Sequence, residues 1–415
     1  MSTLNNFKSL GELSKLDYIT ETHIQGIMGD INNPLLNLPL KNNLDMICGD
    51  GSVTFTRSTT ATYIDRYGVV KSAAINTPRF EKEGLLVEGV STNLCLDSED
   101  ITKWNFGGGG GVWSANVGTA PDGTITADLA DSNDAAFYVY KSMGVSGMAS
   151  GDTYTLSIWV KAYYDNQLIG LRIGEYGGAA ALFWHSSSFV TLSPSDGFVR
   201  INFTATIVEN DRTAVQLNVR GSQTNCDKVY LWGAQFEKLP FASSYIPTTT
   251  AAVTRNIEYG TVSTCINNIP AIYTATVNPE DLTMICDFDV LGHNGDYQYI
   301  AALDGYGYTL MVASSPSHNI AYASYGQGLS SPVKPVIEVN TQYKLGLTYN
   351  AKIDQTRTYI GGTPLLSRTG NSINTYYGSC TIRLGGLHWG RTLYGHMKNF
   401  KIYDKAFSEN EIKLA

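Results

Sequence analysis

Charge is scarce in this sequence: 16% of its 415 residues are Asp, Glu, Lys or Arg, against about 25% in an average soluble domain. Hydrophobic residues make up 43%, so the shortage of charge does not mark a disordered chain, which combines few apolar residues with high net charge. Lysine and arginine never form a run able to neutralise a stretch of phosphates, and the net charge is −8, so nucleic acid is not an expected partner. No segment approaches the roughly 18 consecutive apolar residues of a membrane-crossing helix, which excludes helical insertion. Residues 1–6 are polar and lack the basic start and apolar core of a cleaved signal, so export by that route is not expected. The cysteines, Cys48, Cys95, Cys226, Cys265, Cys286 and Cys380, stand singly with no C-x-x-C pair. That argues against a zinc site and a disulfide framework and for reduced, mostly buried thiols. His23, His185, His293, His318, His388 and His396 show no H-x-H or H-E-x-x-H spacing, and no Gly-x-Ser-x-Gly elbow occurs. Nothing here argues for an enzyme.

What the chain has instead is 41 Gly and 26 Tyr, the profile of an all-β protein with many tight turns, and enough length for two or three domains. Residues 1–45 differ from the rest. Leu10, Leu13, Leu16, Ile19, Ile24 and Ile27 recur at helical spacing and Asn32-Asn33-Pro34 stops the pattern, which predicts either a short helical arm that trimerises or docks on a larger assembly, with too few heptads to form a coiled coil alone, or a helix packed on its own domain. From Asp50 the period becomes two, as in Ser52-Val53-Thr54-Phe55-Thr56-Arg57 and Ala61-Thr62-Tyr63-Ile64-Asp65. The glycines 107–111 break the chain between Trp104 and Trp113 and predict a loop. Further strands are predicted at 136–140, 153–161, 168–173, 198–207, 214–219 and 228–232, a spacing that suits a sandwich. A second β-rich stretch follows at 282–290, 299–304, 309–313, 320–325, 342–350, 355–360, 379–384 and 395–403. Ser408 reads as the N-cap of a closing helical turn. In the 153–161 strand, Trp159 shares one face with Thr155, Ser157 and Lys161, a half-wet face on which it would be edge packing or a ligand platform.

The run Phe55-Thr56-Arg57-Ser58-Thr59-Thr60-Ala61-Thr62-Tyr63-Ile64-Asp65, with Asn76-Thr77-Pro78-Arg79-Phe80 and Leu85-Leu86-Val87-Glu88-Gly89-Val90-Ser91-Thr92-Asn93-Leu94, resembles a module of bacteriophage tail and fibre proteins. Leu231-Trp232-Gly233-Ala234-Gln235-Phe236-Glu237, then Ser243-Ser244-Tyr245-Ile246-Pro247-Thr248 and Thr254-Arg255, resembles its closing strand and exit. Between them, residues 156–161 are similar to carbohydrate-binding-module jelly rolls. Tyr343–Tyr349, Thr358–Gly362 and the ending 395–412 are similar to concanavalin A-like, laminin-G-like lectin domains. The resemblance implies an all-β fold: two tandem antiparallel β-sandwiches (jelly rolls) preceded by a short N-terminal helical arm. Its divisions would be an anchoring and oligomerisation arm at 1–45, a fibre module with a jelly roll at 46–258, and a lectin-like domain at 259–415.

The functional expectation is a non-enzymatic virion fibre protein, assembled in the host cytoplasm and forming a homotrimer. Its arm would join other virion proteins and its lectin-like end would bind host surface polysaccharide. A purely structural collar fibre, whisker or head decoration is the alternative, and a polysaccharide depolymerase the third reading. For the last, Asp287 and Asp289 share a strand face about 7 Å apart, a separation inverting glycosidases use, but the acidic pattern of concanavalin A-like glucanases is broken by Ile285 and Leu291, and the pair also reads as a solvated face, as edge protection or as a calcium ligand. Sugar recognition needs aromatic faces and side-chain donors on preformed loops. Trp389, Arg391, Tyr394, Tyr297, Tyr299, Tyr306, Tyr308 and Asn294 supply that stock, with Trp389 the first candidate. The same tyrosines also suit a subunit interface or ordinary packing on half-exposed strands. No cofactor is expected beyond calcium, which the resemblance alone brings in, with Asp296, Asp304 and Asp354 as loop ligands.

Overall fold

The computed structural model describes residues 31, 34–48, 52–108, 110–132, 136–177, 180–222, 226–263, 281–304, 308–315, 318–324, 336–369, 381–386 and 391–415. The expected helical arm falls outside these residues. Strands dominate, their ladders run antiparallel, and they form two sandwiches.

Both ends of the chain build one of them. Its eight-stranded sheet runs in the order Thr363–Thr369, Gln355–Ile360, Tyr343–Asn350, Leu282–Phe288, Gly395–Tyr403, Gly84–Val87, Arg79–Glu81, and Leu36–Leu38 also pairs with Gly395–Tyr403. The facing sheet runs Ser52–Thr56, Tyr259–Ser263, Thr381–Leu384, Tyr297–Asp304, Tyr308–Ser315, His318–Ser324. Leu36, Leu38, Phe55, Leu85 and Val87 from the early strands share one core with Met284, Phe288, Ile300, Leu345, Met397 and Ile402. Each fully buried leucine there stabilises the fold by about 1.5–3 kcal/mol.

The other sandwich is an insertion. A five-stranded sheet (Val199–Thr206, Thr153–Ala162, Lys228–Glu237, Ile125–Ser132, Gly111–Thr119) faces a sheet of Ala180–Ser186, Gln167–Gly177, Arg212–Gly221, Tyr138–Met148 and Asn105–Phe106, with Val190–Leu192 beside Gln167–Gly177. Its core holds Leu156, Ile158, Val160, Ile169, Leu171, Leu217, Val219, Leu231 and Phe236. The chain enters and leaves through a two-stranded ribbon in which Ser91–Asn93 pairs with Val253–Arg255.

This arrangement corrects the expected divisions at 45/46 and 258/259. Residues 36–38 do not belong to an arm, because Leu36, Leu38 and Leu40 alternate with Asn37 and Pro39 and bury their side chains against Phe400 and Ile402. Residues 52–56 and 79–87 complete the sheets of the later segment, so the sandwiches are nested instead of tandem. The reason is geometric: without those strands the Gly395–Tyr403 edge would be left unpaired over an apolar core. Trp159 is also settled. Its face of the strand is covered by the segment after Glu237, since Thr155 Oγ1 donates to the Leu239 carbonyl at 2.7 Å and the Tyr245 ring lies 5.2 Å from Trp159. Trp159 is buried against Trp232 and is no platform.

Local expectations hold elsewhere. Gly107, Gly108 and Gly110 lie in a connection between Asn105–Phe106 and Gly111–Thr119, and Ser408 caps Glu409–Leu414 in a reciprocal box with Glu411. Cys95, Cys226 and Cys286 are buried and Cys48 is half-buried, none of them in a disulfide.

Candidate glycan-binding site

At one end of the terminal sandwich the loop before Tyr297–Asp304 meets the segment leading into Gly395–Tyr403. Gly292 has Phe241 against it so closely that a Cβ would fall 2.1 Å from the ring, and Gly295 turns the chain with φ +83°. Asn294 Oδ1 accepts from the Asp296 amide at 3.1 Å, and Asp296 Oδ1 accepts from the Tyr297 amide at 2.7 Å. Gln298 is buried beneath; its Nε2 donates to the Gly292 carbonyl at 2.7 Å and its Oε1 accepts from the Tyr394 amide at 2.8 Å. The loop is thereby fixed to the segment carrying Arg391.

On this base Arg391 places its guanidinium 4.9 Å from the Tyr297 ring centre and its Nε 3.4 Å from Asp296 Oδ1. A hydrogen bond to Tyr299, then the charge of Asp296, raise its pKa further above the ordinary value. Tyr297 is 40% exposed and Tyr299 8%. An open aromatic ring beside a planar, five-donor cation on a hydrogen-bonded loop can stack a sugar ring and bond its hydroxyls or a carboxylate.

Of the residues singled out from sequence, Arg391, Tyr297, Tyr299 and Asn294 therefore come together. Tyr394 does not join them as a contact. It is buried against Phe241, its hydroxyl donates to the Val90 carbonyl at 3.1 Å, and burial pushes its pKa up to about 12. Tyr308 opens a strand opposite Leu303. Trp389 and Tyr306 lie outside the described residues. Sequence reasoning missed Gln298, because a polar residue alternating with tyrosines reads as facing solvent, and its burial follows from its bonds to Gly292 and Tyr394.

Two of the calcium candidates, Asp296 and Asp354, are separately engaged. Asp296 serves Arg391 and its own loop, while Asp354, at φ 46°, accepts from Tyr349 Oη at 3.1 Å. Asp304 ends a strand opposite Thr381. Asp287 accepts from Asn399 Nδ2 at 2.7 Å, and Asp289 lies beyond the end of the same strand, buried. Asp289 accepts from the His396 amide at 3.0 Å and bonds His396 Nδ1 at 2.9 Å, so the two carboxylates do not stand as a free pair. Glu81, Glu83 and His396 bring their ligand-type atoms within 4.8 Å of one another. His396 Nε2 already meets Glu81 at 3.0 Å, which makes this group an ion-paired tie between strands.

The residues that carry the phage-module resemblance lie elsewhere, buried at the joint of the sandwiches. Arg57, Arg79, Glu88, Asn93, Gln235, Glu237, Ser243 and Arg255 are all 0–1% exposed, and so is Glu258, which the resemblance does not include. Glu258 accepts from Arg57 Nη1 at 2.6 Å, from Arg79 Nε at 3.0 Å and from the Glu88 amide at 3.0 Å. Glu88 accepts from Arg79 Nη2 at 2.8 Å, faces Arg255 at 3.1 Å and accepts from the Ser244 amide at 2.8 Å. Burial alone would raise the Glu88 pKa, but Arg255, Arg79 and Ser244 outweigh it and hold it at about 2. Asn93 donates to the carbonyls of Ala234 and Ile246 and accepts from the amides of Cys95 and Phe236.

No family model and no curated protein matches the chain. Among solved structures it is similar to Trypanosoma rangeli sialidase, at 18% identity over 32% of this chain and 22% of that one, with a TM-score of 0.27. The botulinum neurotoxin serotype D binding domain matches at 17% identity over 38% of this chain and 40% of that one, TM-score 0.25. The enzymatically active domain of bacteriophage CBA120 tailspike protein 4 matches at 10% identity over 35% and 21%, TM-score 0.26. The chain thus spans less than half the length of each of these proteins.

Proposed function

We propose that the protein is a non-enzymatic virion fibre protein that binds host surface glycan through the terminal, lectin-like sandwich. The observation that carries the binding reading is the Arg391–Tyr297 pair, an exposed ring and a planar donor held by Asp296 and Gln298 on a fixed loop. Placement on a phage particle rests on the likeness of residues 55–94 and 231–255 to tail and fibre modules. The chain joins the virion through its N-terminal residues and acts as a homotrimer, which supplies the avidity that single weak sugar sites need.

The test is binding of the labelled full chain to intact host cells and to cells stripped of surface polysaccharide. The full chain is required because a fragment from residue 262 lacks the strands Leu36–Leu38, Ser52–Thr56, Arg79–Glu81 and Gly84–Val87. Binding lost on stripping and weakened in Tyr297→Ala and Arg391→Gln supports the reading. Binding that survives stripping means a receptor other than polysaccharide and refutes the glycan reading, and no binding of the folded chain to either cell type transfers the protein to a structural role on the particle.

A further inference from the structure

On the terminal sandwich, a second cleft of about 790 Å³ opens at the strand edge, lined by residues that include Lys41, Asn42, Tyr63, Tyr67, Lys82 and Lys398. They come from separate segments: the 41–44 loop, the hairpin of Ala61–Ile64 and Val70–Ala73, the turn between Arg79–Glu81 and Gly84–Val87, and the Gly395–Tyr403 strand.

Its walls are preformed. Asp65 Oδ1 accepts from the amides of Tyr67 and Val69 at 2.9 and 3.0 Å, and Gly68 takes φ +81° to close the turn. Arg66 Nη2 donates to Asn42 Oδ1 at 2.7 Å, tying the turn to the opposite wall. Tyr67 is thereby presented 83% exposed.

The charges in the cleft are unbalanced. Its acids are committed, Asp65 to its own turn and Glu81 to His396 and the Ile64 amide. The ammonium groups of Lys41, Lys82 and Lys398 have no hydrogen-bond or ion-pair partner among the described residues. A chain of net charge −8 thus gathers free cations beside two tyrosines and an asparagine.

We propose that this cleft binds an acidic saccharide, its carboxylates taken by the lysines and its ring faces by Tyr67 and Tyr63. The site is independent of the Arg391–Tyr297 pair and does not rest on it. A nucleic acid is disfavoured because no run of Lys and Arg in the sequence extends the cleft's cations along a phosphate backbone, whereas an acidic oligosaccharide needs only this local cluster.

The experiment is calorimetric titration of the full chain with oligogalacturonate, oligosialate, neutral maltohexaose and a short thymidine oligonucleotide. At least one acidic oligosaccharide is expected to bind, more weakly as salt rises, and maltohexaose is not expected to bind at this cleft. Combined Lys41→Gln, Lys82→Gln and Lys398→Gln should weaken the acidic ligand about tenfold or more, summing exposed ion pairs. Tyr67→Ala should weaken it too, and both losses should persist in a Tyr297→Ala background. These are surface side chains, and unchanged melting curves verify that the variants fold. The proposal is overturned if neither acidic oligosaccharide binds, if the lysine variant binds as well as the parent, or if the Tyr297 variant is the one that loses binding. Equal binding of the oligonucleotide replaces it with a general polyanion site.

Discussion

Replacing Glu258 by Gln perturbs the joint between the sandwiches at its centre. The carboxylate is fully buried and shared by Arg57 and Arg79, and it also accepts the Glu88 amide. In the variant Arg79 and Arg255 keep Glu88 as a partner, whereas Arg57 loses the carboxylate it pairs with, and Glu237 lies one shell away on Ser243 and Ser91. Removing one partner of a buried ion pair costs about 3–5 kcal/mol, because the remaining charge is left in a poorly solvating site. Acid should reach the same joint through Glu88. Its pKa lies at about 2 in the folded protein against 4.5 ordinarily, so its contribution is complete above 4.5 and is lost as pH falls towards 2. A gap of about 2.5 pH units at about 1.4 kcal/mol each gives about 3 kcal/mol. Urea unfolding followed by fluorescence of the buried Trp159 and Trp232 reads both effects. A Glu258→Gln unfolding free energy within about 0.5 kcal/mol of the parent's would refute the reasoning. So would a Glu88→Gln variant whose loss of stability between pH 4.5 and 2 matches the parent's.

His396 carries the opposite sign. Burial works against its charge, but its bonds to Asp289 and Glu81 prevail and lift its pKa from 6.5 to about 10. Its stabilisation is therefore full below 6.5 and fades as pH rises through 10, and a His396→Gln variant should show a flatter stability profile across that range by denaturant titration. Tyr394→Phe removes one hydrogen bond, to the Val90 carbonyl, and should cost about 1 kcal/mol in urea unfolding while leaving glycan binding intact. A change in binding would place its hydroxyl in the site after all. Trp159→Ala should cost about 3–5 kcal/mol by emptying the space between Trp232 and Tyr245, and a loss below about 1 kcal/mol would show that the exit segment does not seal that face.

The residues of the phage-like module were visible in the sequence as a pattern, and the structure gives the pattern a physical meaning. Arg57, Arg79, Glu88, Asn93, Glu237, Ser243 and Arg255 occupy the joint where the chain leaves one sandwich for the other. Polar residues so deeply buried must be satisfied by one another, and a signature spread over some two hundred residues is what such a joint leaves in a sequence. Of the candidate site, Arg391, Tyr297, Tyr299 and Asn294 were legible because turn-rich aromatic loops mark surface. Tyr394 was not, because the exit segment that brings Phe241 over it is far away in sequence.

By itself the sequence determined the all-β class, the period-two strands such as Gln355–Ile360 and Gly395–Tyr403, and the Ser408 cap. Alternation and capping are local properties, written within a few residues of where they act. Tertiary structure alone decided that Leu36 pairs with Ile402, that Glu258 answers Arg57, and that one sandwich is inserted within the other. An antiparallel ladder joins any two strands of suitable length and face, so the identity of the partner is fixed only when the whole core closes.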